Sequence, residues 1–260
     1  MKIWTIAINT FTSFLHSKVI AVTGLLFALP VAMGISSVLI FRGKPELMGS
    51  MLHDLSATLQ FMSALGSLIA GFAAADAISA EMKSGTVLAV MARPLERWQF
   101  LAGKYFGVLL LMLAYTIAML GTGVFLYRLA GLPFHTPWWV LISYPFVRYA
   151  VWASIAMLLV TFLHPFVTMA VVAVIISVVT VLASPAAANY SAWIRVPLHV
   201  TLPLTTNVLS EDRFFSMTQA SLHRYPWAFH ATALAYGLNY ALVCFLLAAL
   251  VFHRRSLVRG

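Results

Sequence analysis

A glycine followed by a lysine is the core of the loop that binds nucleotide phosphates, and this chain carries such a pair at Gly103-Lys104. A phosphate loop also needs a glycine five residues earlier and a serine or threonine after the lysine, because the hydroxyl binds Mg²⁺. Trp98 and Tyr105 occupy those two positions. The chain is therefore predicted not to bind ATP by this motif, and any ATP-driven work requires a partner.

The motifs of hydrolytic enzymes are missing as well. The sequence contains no His-Glu-x-x-His and no Gly-x-Ser-x-Gly, and no pair of acidic residues lies within an apolar segment. Each of these patterns supplies the nucleophile, base or metal ligands that such catalysis needs. The sequence thus predicts a chain that is not an enzyme.

Eight histidines and twelve methionines raise the question of a metal site. Metal sites in proteins need several ligands that converge, and no histidine or methionine cluster has ligand spacing. The methionines in apolar segments stand singly, where adaptable packing is their ordinary role. No metal site is predicted, and the least implausible ligands are His53, His199, His223 and His230. With one cysteine, Cys244, the chain can form no internal disulfide.

Arg148 is the most informative charged residue near a predicted span. A cation at membrane depth is costly and usually faces a cavity or a partner. On that interpretation Arg148 is a candidate pathway residue whose natural ligand is an anionic headgroup. The favoured alternative is that a helix has just begun at Pro145, so that Arg148 reaches the headgroups from its first turns.

Residues 76 to 104 combine charge with a short apolar run. Seven charged side chains lie there: Asp76, Glu81, Lys83, Arg93, Glu96, Arg97 and Lys104. The run Val87–Ala92 is far shorter than the ~20 residues that cross a membrane. Possible N-caps at Ser84 and Thr86, and a stop at Pro94, predict a helix of about two turns. Its apolar side, formed by Val87, Leu88 and Met91, requires a protein surface to bury against.

Residues 76 to 107 resemble the cytoplasmic loop of ABC-2-type transporter permeases. The resemblance rests on Asp76 in the last turn of a span, then Ile-Ser-x-Glu, a basic residue, Gly-Thr, an apolar octet, Arg-Pro, Arg-Trp and Leu-x-Gly-Lys. It implies a coupling helix between the second and third spans that docks into a separate ATPase subunit. The docking residues that it implies are Glu81, Lys83, Gly85, Thr86, Val87, Leu88, Met91, Arg93 and Pro94. Asp76, Arg97 and Lys104 would brace this loop by ion pairing, setting its geometry more than its stability.

The same resemblance implies the partners of the chain. Two soluble ATPase subunits per complex would carry ATP and Mg, leaving this chain without a cofactor. A second permease copy or a homologue would complete the pathway. The N-terminal segment would be an elbow helix, and the outer segment between the last two spans would be re-entrant.

Composition places the chain in the membrane. Hydrophobic residues make up 62% of the 260 and charged residues 9%, whereas a soluble domain carries roughly 25% charged residues. The net charge of +9 is scattered at the ends of apolar segments, which favours contact with anionic lipid headgroups over binding of nucleic acid. The fold predicted is a single all-α integral membrane domain, 1–260.

Six apolar segments are predicted to span the membrane. They are Val19–Phe41, Leu59–Ala80, Phe100–Tyr127, Trp138–Leu163, Phe166–Ala183 and Phe229–Phe252. Residues 1–18 form an amphipathic helix, expected in the headgroup plane or, alternatively, packed on protein. Residues 42–58 form a short polar loop and residues 81–99 the coupling loop. Residues 184–228, which are rich in proline yet apolar, form either re-entrant helices or a loop packed on the ends of the spans.

Charge asymmetry predicts the orientation. The termini and the 81–104 loop carry nine Lys or Arg, against six in the opposite loops. The positive-inside rule then puts both termini in the cytoplasm, in a multi-pass protein of the cell (inner) membrane.

The function predicted is the permease subunit of an ATP-driven transporter, expected to be an exporter. One alternative is the membrane component of an ABC-type assembly or maturation system, for example for delivery of a metal or a sulfur species, that moves no free solute. A second alternative is an ion-coupled secondary carrier. The carrier ranks last because Asp76 is the one acidic residue within the predicted spans. The sequence does not predict the substrate.

Overall fold

The structure is a computed structural model that describes residues 2–41, 44–84, 97–132, 138–183 and 227–254. In these ranges the regular structure is helical throughout. The α-helices, numbered in chain order, are α1 (Lys2–Leu15), α2 (Lys18–Phe41), α3 (Met48–Ser84), α4 (Arg97–Leu129), α5 (Trp138–Val160), α6 (Pro165–Ala183) and α7 (Trp227–Arg254). The prediction of an all-α fold is confirmed.

Within the described ranges, five helices are long and apolar enough to cross a membrane, namely α2, α3, α4, α5 and α7. The predicted fifth span corresponds to α6, which begins one residue earlier than predicted. Its part with described side chains, Pro165–Ser177, is apolar but shorter than the other five. The chain is therefore a multi-pass membrane protein, and a sixth crossing at α6 stays a prediction.

The prediction that residues 42–58 form a polar loop is wrong over most of that range. A short 3-10 helix forms at Pro45–Leu47, and α3 follows directly from Met48. The helix starts early because Met51 and Leu55 are buried against Val38 of α2 and Leu126 of α4. Tertiary packing of this apolar stripe therefore outweighs the polar residues between its members. The second predicted span, Leu59–Ala80, lies inside this 37-residue helix, which continues for four residues after it.

The predicted coupling loop 81–99 is shorter in the structure. Residues 81–84 continue α3, and residues 97–99 already belong to α4. Glu81 and Lys83 are good helix formers and extend α3 by one further turn. Residues 85–96, with the predicted docking helix, lie outside the described part of the chain. The predicted re-entrant segment also lies outside it, except for residues 227 and 228, which begin α7.

The helices form a bundle with α5 at its centre. α5 packs against α3, α4, α6 and α7, and its faces are buried from Val140 to Val160. A four-residue turn after Val160 leads into α6, where the Thr168 amide donates to the carbonyl oxygen of His164 at 2.9 Å. α5 therefore ends three residues earlier than predicted.

The two ends of the bundle are named here by the chain segments they carry. The hairpin end is where α3 ends and α4 begins, on either side of residues 85–96. The far end is where α2 and α4 end and α5 begins. Helix α1 packs along the first turns of α4 and therefore lies at the hairpin end.

Candidate functional site

Helices α3 and α4 are longer than a membrane requires. At 1.5 Å per residue they measure about 55 Å and about 50 Å, against a hydrocarbon core of about 30 Å. Asp54 and Asp76, both half-buried on α3, lie about 33 Å apart along that helix. This spacing matches one hydrocarbon core with a carboxylate at each boundary. We therefore expect the final turns of α3 to extend beyond the hydrocarbon core at the hairpin end.

Two of the predicted bracing residues, Asp76 and Lys104, lie at similar distances from the ends of their helices at the hairpin end. Asp76 lies about 12 Å before the end of α3, and Lys104 lies about 10 Å after the start of α4. Lys104 is 7% exposed, and its Nζ lies 5.7 Å from the centroid of the Phe100 ring. The Phe100 ring stacks in turn on Phe252 of α7, with centroids 6.5 Å apart. Lys104 thus contributes a cation–π contact in a cluster that joins α4 to the end of α7; its pairing with Asp76 stays a prediction.

The other sequence-predicted residues fall into two groups. Glu81 and Lys83 lie in the last turn of α3, and Arg97 is the first residue of α4. The remaining predicted docking residues follow α3 and precede α4 in the sequence, and they lie outside the described ranges. They are Gly85, Thr86, Val87, Leu88, Met91, Arg93 and Pro94.

Helix α1 contacts α4 through two glycines. A Cβ on Gly103 would lie 2.6 Å from the Cβ of Ile6, and a Cβ on Gly107 would lie 2.6 Å from that of Thr10. The backbone of α1 is also close, because the carbonyl oxygen of Ala7 lies 2.9 Å from the place that a Cβ on Gly107 would occupy. Small residues four apart let two helices approach closely. Sequence reasoning missed this contact, although the Gly-x-x-x-Gly spacing that produces it is visible in the sequence.

The predicted apolar face of α1 divides into two. Ala7 and Phe14 are buried against the bundle, as the alternative of a helix packed on protein requires. Trp4, Ile8 and Leu15 are 58%, 44% and 41% exposed and form a second stripe at helical spacing. An exposed apolar stripe beside polar residues is typical of a helix in the headgroup plane. The structure supports packing of α1 on protein, and contact of the exposed stripe with headgroups stays a prediction.

Buried tyrosines join α3, α4 and α5 near the middle of the bundle. The hydroxyl of Tyr115 donates a hydrogen bond of 2.6 Å to the carbonyl oxygen of Met62, and that of Tyr149 donates to Ser63 Oγ at 3.3 Å. Both rings pack where Gly66 has no side chain, because a Cβ there would overlap the Tyr149 phenol and lie 2.7 Å from Tyr115 Cε1. These polar contacts across close-packed backbones make the three helices a rigid unit.

A second polar cluster lies toward the far end, between α5 and α7. Tyr144 and His230 are both buried, and the Tyr144 hydroxyl lies 2.8 Å from His230 Nδ1. The indole of Trp139 packs edge-to-face on both His230 and Trp227, with centroids 5.2 Å apart in each case. His230 is one of the four histidines that the sequence analysis named as the least implausible metal ligands. Aromatic rings surround it in the structure. No group of three or more His, Cys, Asp or Glu that could hold a metal ion occurs among the described residues.

Arg148 is not at the start of its helix. α5 begins at Trp138, so Pro145 lies inside it and Arg148 is about 15 Å from its first residue. The expectation that Pro145 starts the helix is wrong, because the apolar residues before it pack on α7 through Val140 and Tyr144. Arg148 is half-buried and follows Tyr144 by one helical turn.

Comparison with known proteins agrees with this architecture. A search of curated proteins finds no match to the chain. The family model described as ABC-2 family transporter protein matches residues 4–257, which is nearly the whole sequence. Proteins of this family are membrane permease subunits of ABC transporters, are generally non-catalytic, and associate with ABC ATPase subunits. The long apolar helices agree with this match, which places the chain in the ABC-2 transporter family.

Proposed function

We propose that this chain is the permease subunit of an ATP-driven exporter and that it couples substrate movement to ATP hydrolysis by a separate ATPase. In this proposal α6 is the sixth span, both termini are cytoplasmic, and the chain resides in the cell (inner) membrane. Two permease chains and two ATPase subunits form the complex, with ATP and Mg bound by the ATPases.

The observation that carries the proposal is the packing at the hairpin end. The projecting ends of α3 and α4 flank residues 85–96, and α1 is seated on α4 by Gly103 and Gly107. A force applied to residues 85–96 therefore reaches three helices through direct covalent and packing contacts. Energetic coupling between distant sites needs such contiguous, rigid elements.

The tyrosine contacts extend this rigid unit into the membrane. Tyr115 fixes α4 to α3, and Tyr149 fixes α5 to α3. When the ATPases close on ATP, they would push on the apolar face formed by Val87, Leu88 and Met91. The unit of α3, α4 and α5 would then tilt as one body and open the pathway between two permease copies.

Charge placed on the predicted docking face tests this proposal. In Leu88→Glu/Met91→Glu, two carboxylates would have to be desolvated at the ATPase surface, which is costly without a partner charge. We expect the variant to insert normally but to lose co-purification with the ATPase and ATP-driven transport. The matched control is Leu88→Met/Met91→Leu, which keeps the face apolar and should behave as wild type. Full transport by the glutamate variant would refute the proposed docking.

A separate readout distinguishes the exporter from an assembly or maturation system. Reconstituted in liposomes with its ATPase, an exporter should accumulate a substrate across the bilayer, and that substrate should stimulate ATP hydrolysis. A maturation component would bind the ATPase without accumulating any free solute. ATPase binding without transport of any candidate substrate would favour the second function.

A further inference from the structure

Helix α7 carries a polar side chain at the middle of its length. Asn239 lies about 18 Å after Trp227 and about 20 Å before Phe252. Both aromatic rings mark an end of the helix by contacting another helix. Trp227 contacts Trp139 at the start of α5, and Phe252 stacks on Phe100 near the start of α4. Asn239 therefore lies near the centre of the hydrocarbon core, between these two ends.

The side chain of Asn239 points away from the bundle. Helix α7 packs on α5 and α4, and its buried residues include Ala233, Ala241, Cys244 and Ala248. At 3.6 residues per turn, Asn239 is on the opposite side of the helix, and it is exposed. Its amide makes no hydrogen bond in the described part of the chain. An amide in hydrocarbon is costly without a hydrogen-bond partner, and lipid acyl chains offer neither a donor nor an acceptor.

Asn239 belongs to a regular row of exposed residues, named here the α7 seam. Its members recur at alternating spacings of four and three residues, and they are Ala228, Thr232, Ala235, Asn239, Leu242 and Leu246. A mean spacing of 3.5 residues is the repeat of paired helices that coil around each other, because it keeps one seam against the partner. The three members before Asn239 are small, and small residues let helices in a membrane approach closely.

We propose that the α7 seam binds the same seam of a second copy of this chain. A two-fold axis along the membrane normal puts the Asn239 side chains of both copies at one depth. An amide has donors and an acceptor, so each Asn239 can donate to the oxygen of the other. A single asparagine in such a seam also fixes the register of the pair. This inference rests on the proposed function, which requires two permease chains, and it names the surface by which they meet.

Cysteine crosslinking in membranes tests the α7 seam. Single cysteines are introduced in a Cys244→Ala background and oxidised with copper phenanthroline, whose Cu(II) takes up the electrons released when two thiols form a disulfide. We expect Ala235→Cys, Asn239→Cys and Leu242→Cys to give a dimer of this chain. Leu238→Cys is the matched control, because Leu238 is 52% exposed at nearly the same depth but points about 100° away around the helix. It should give no dimer.

Association of the uncrosslinked chain tests the role of the amide. Energy transfer between two fluorescently labelled populations is measured in phosphatidylcholine liposomes over a range of protein-to-lipid ratios. Asn239→Leu removes the hydrogen bonds and should weaken association about threefold or more, the effect typical of hydrogen bonds between helices in membranes. Asn239→Gln keeps an amide and should retain most of the association. Leu238→Ala, beside the seam, should associate as the wild type does.

Three results would overturn the α7 seam as the contact between copies. They are equal crosslinking at positions 238 and 239, no crosslinked dimer from any seam position, and unchanged association of Asn239→Leu. A crosslink from Asn239→Cys to a protein of different mass would also overturn it and would assign the seam to another subunit.

The outcome is independent of the ATPase, which none of these measurements needs. A chain that pairs through the α7 seam but never binds an ATPase would refute the proposed function and leave the seam intact. Two chains that transport with an ATPase but crosslink only at other positions would refute the seam and leave the proposed function intact.

Discussion

The carbonyl oxygen of Ala7 on α1 lies 2.9 Å from the place that a β-carbon on Gly107 of α4 would occupy. Any larger residue at position 107 would therefore have to displace the backbone of α1. The N-terminal helix thus lies directly on the helix that emerges from residues 85–96, and the two are expected to move together.

Leucine at either of the two glycines that contact α1 should weaken the coupling between ATP hydrolysis and transport. In Gly103→Leu and Gly107→Leu, α1 has to lift off α4, so less of any movement at the hairpin end reaches α1 and the first span. We expect transport per ATP hydrolysed to fall about fivefold or more, within the range of coupling energies between sites. The measurement is transport and ATP hydrolysis in the same proteoliposomes.

The control for this variant lies on the same helix. Gly121 of α4 has no atom within 4 Å of its β-carbon position, so Gly121→Leu adds the same side chain in open space. It should leave coupling unchanged. Equal behaviour of Gly103→Leu and Gly121→Leu would show that the seat of α1 on α4 does not contribute to coupling.

Alanine at Gly66 should destabilise the bundle. The added methyl group would overlap the Tyr149 phenol and press on Tyr115, and overpacking of this kind costs about 1–3 kcal/mol. Gly24→Ala on α2 is the comparison, because nothing lies within 4 Å of its β-carbon position and alanine is the better helix former. Thermal unfolding in detergent should show a lower midpoint for Gly66→Ala and an unchanged or higher one for Gly24→Ala.

A substitution at Asp54 distinguishes a transporter driven by ATP hydrolysis from an ion-coupled carrier. The structure places this carboxylate inside α3, where Ser37 of α2 donates a hydrogen bond of 2.9 Å to Oδ2. We interpret it as a boundary residue that joins two helices. Asp54→Asn should then change stability by about 1 kcal/mol at most and leave ATP-driven transport intact.

Ser37→Ala removes this hydrogen bond and keeps the carboxylate, whereas Asp54→Asn removes the charge and keeps an oxygen that can accept from Ser37. If Asp54 serves only this contact, both variants should transport as the wild type does. Transport that depends on an ion gradient and is abolished by Asp54→Asn alone would instead support the carrier.

The contact between Tyr144 and His230 should stabilise the start of α7. Tyr144→Phe removes the hydroxyl at 2.8 Å from His230 Nδ1, and we expect a loss of about 1 kcal/mol, the usual net value of a buried hydrogen bond. Ser143→Ala is the neighbouring control, because the Ser143 Oγ is buried without a partner among the described residues. Its removal should be neutral or stabilising in the same unfolding measurement.

Helix identities were predictable from the sequence because apolar length is a strong signal. Lys18–Phe41 and Pro165–Ala183 each lie within one residue of their predicted limits. The extension of α3 back to Met48 was not predictable, because it depends on burial of Met51 and Leu55 against two other helices. The start of α5 before Pro145 was not predictable for the same reason, because it depends on packing of the apolar residues before the proline on α7.

The docking role of residues 85–96 stays a prediction, which charge, the short apolar run and the resemblance supplied. The contacts around the neighbouring helices were not predictable. The contact of α1 with Gly103 and Gly107 and the stacking of Phe100 on Phe252 are relationships between distant segments. No pattern within one segment specifies them, although the glycine spacing indicates that a close approach occurs.

The most direct test of the central claim is a crosslink from the predicted docking face. In a Cys244→Ala background, which removes the only cysteine, Leu88→Cys is labelled with a photoreactive maleimide in membranes that contain the ATPase. Leu25→Cys, 74% exposed on α2, serves as the control. The account predicts that Leu88→Cys captures the ATPase, more efficiently in the presence of ATP, and that Leu25→Cys captures none. Capture from neither position in a complex that still hydrolyses ATP and transports, or equal capture from both, would contradict it.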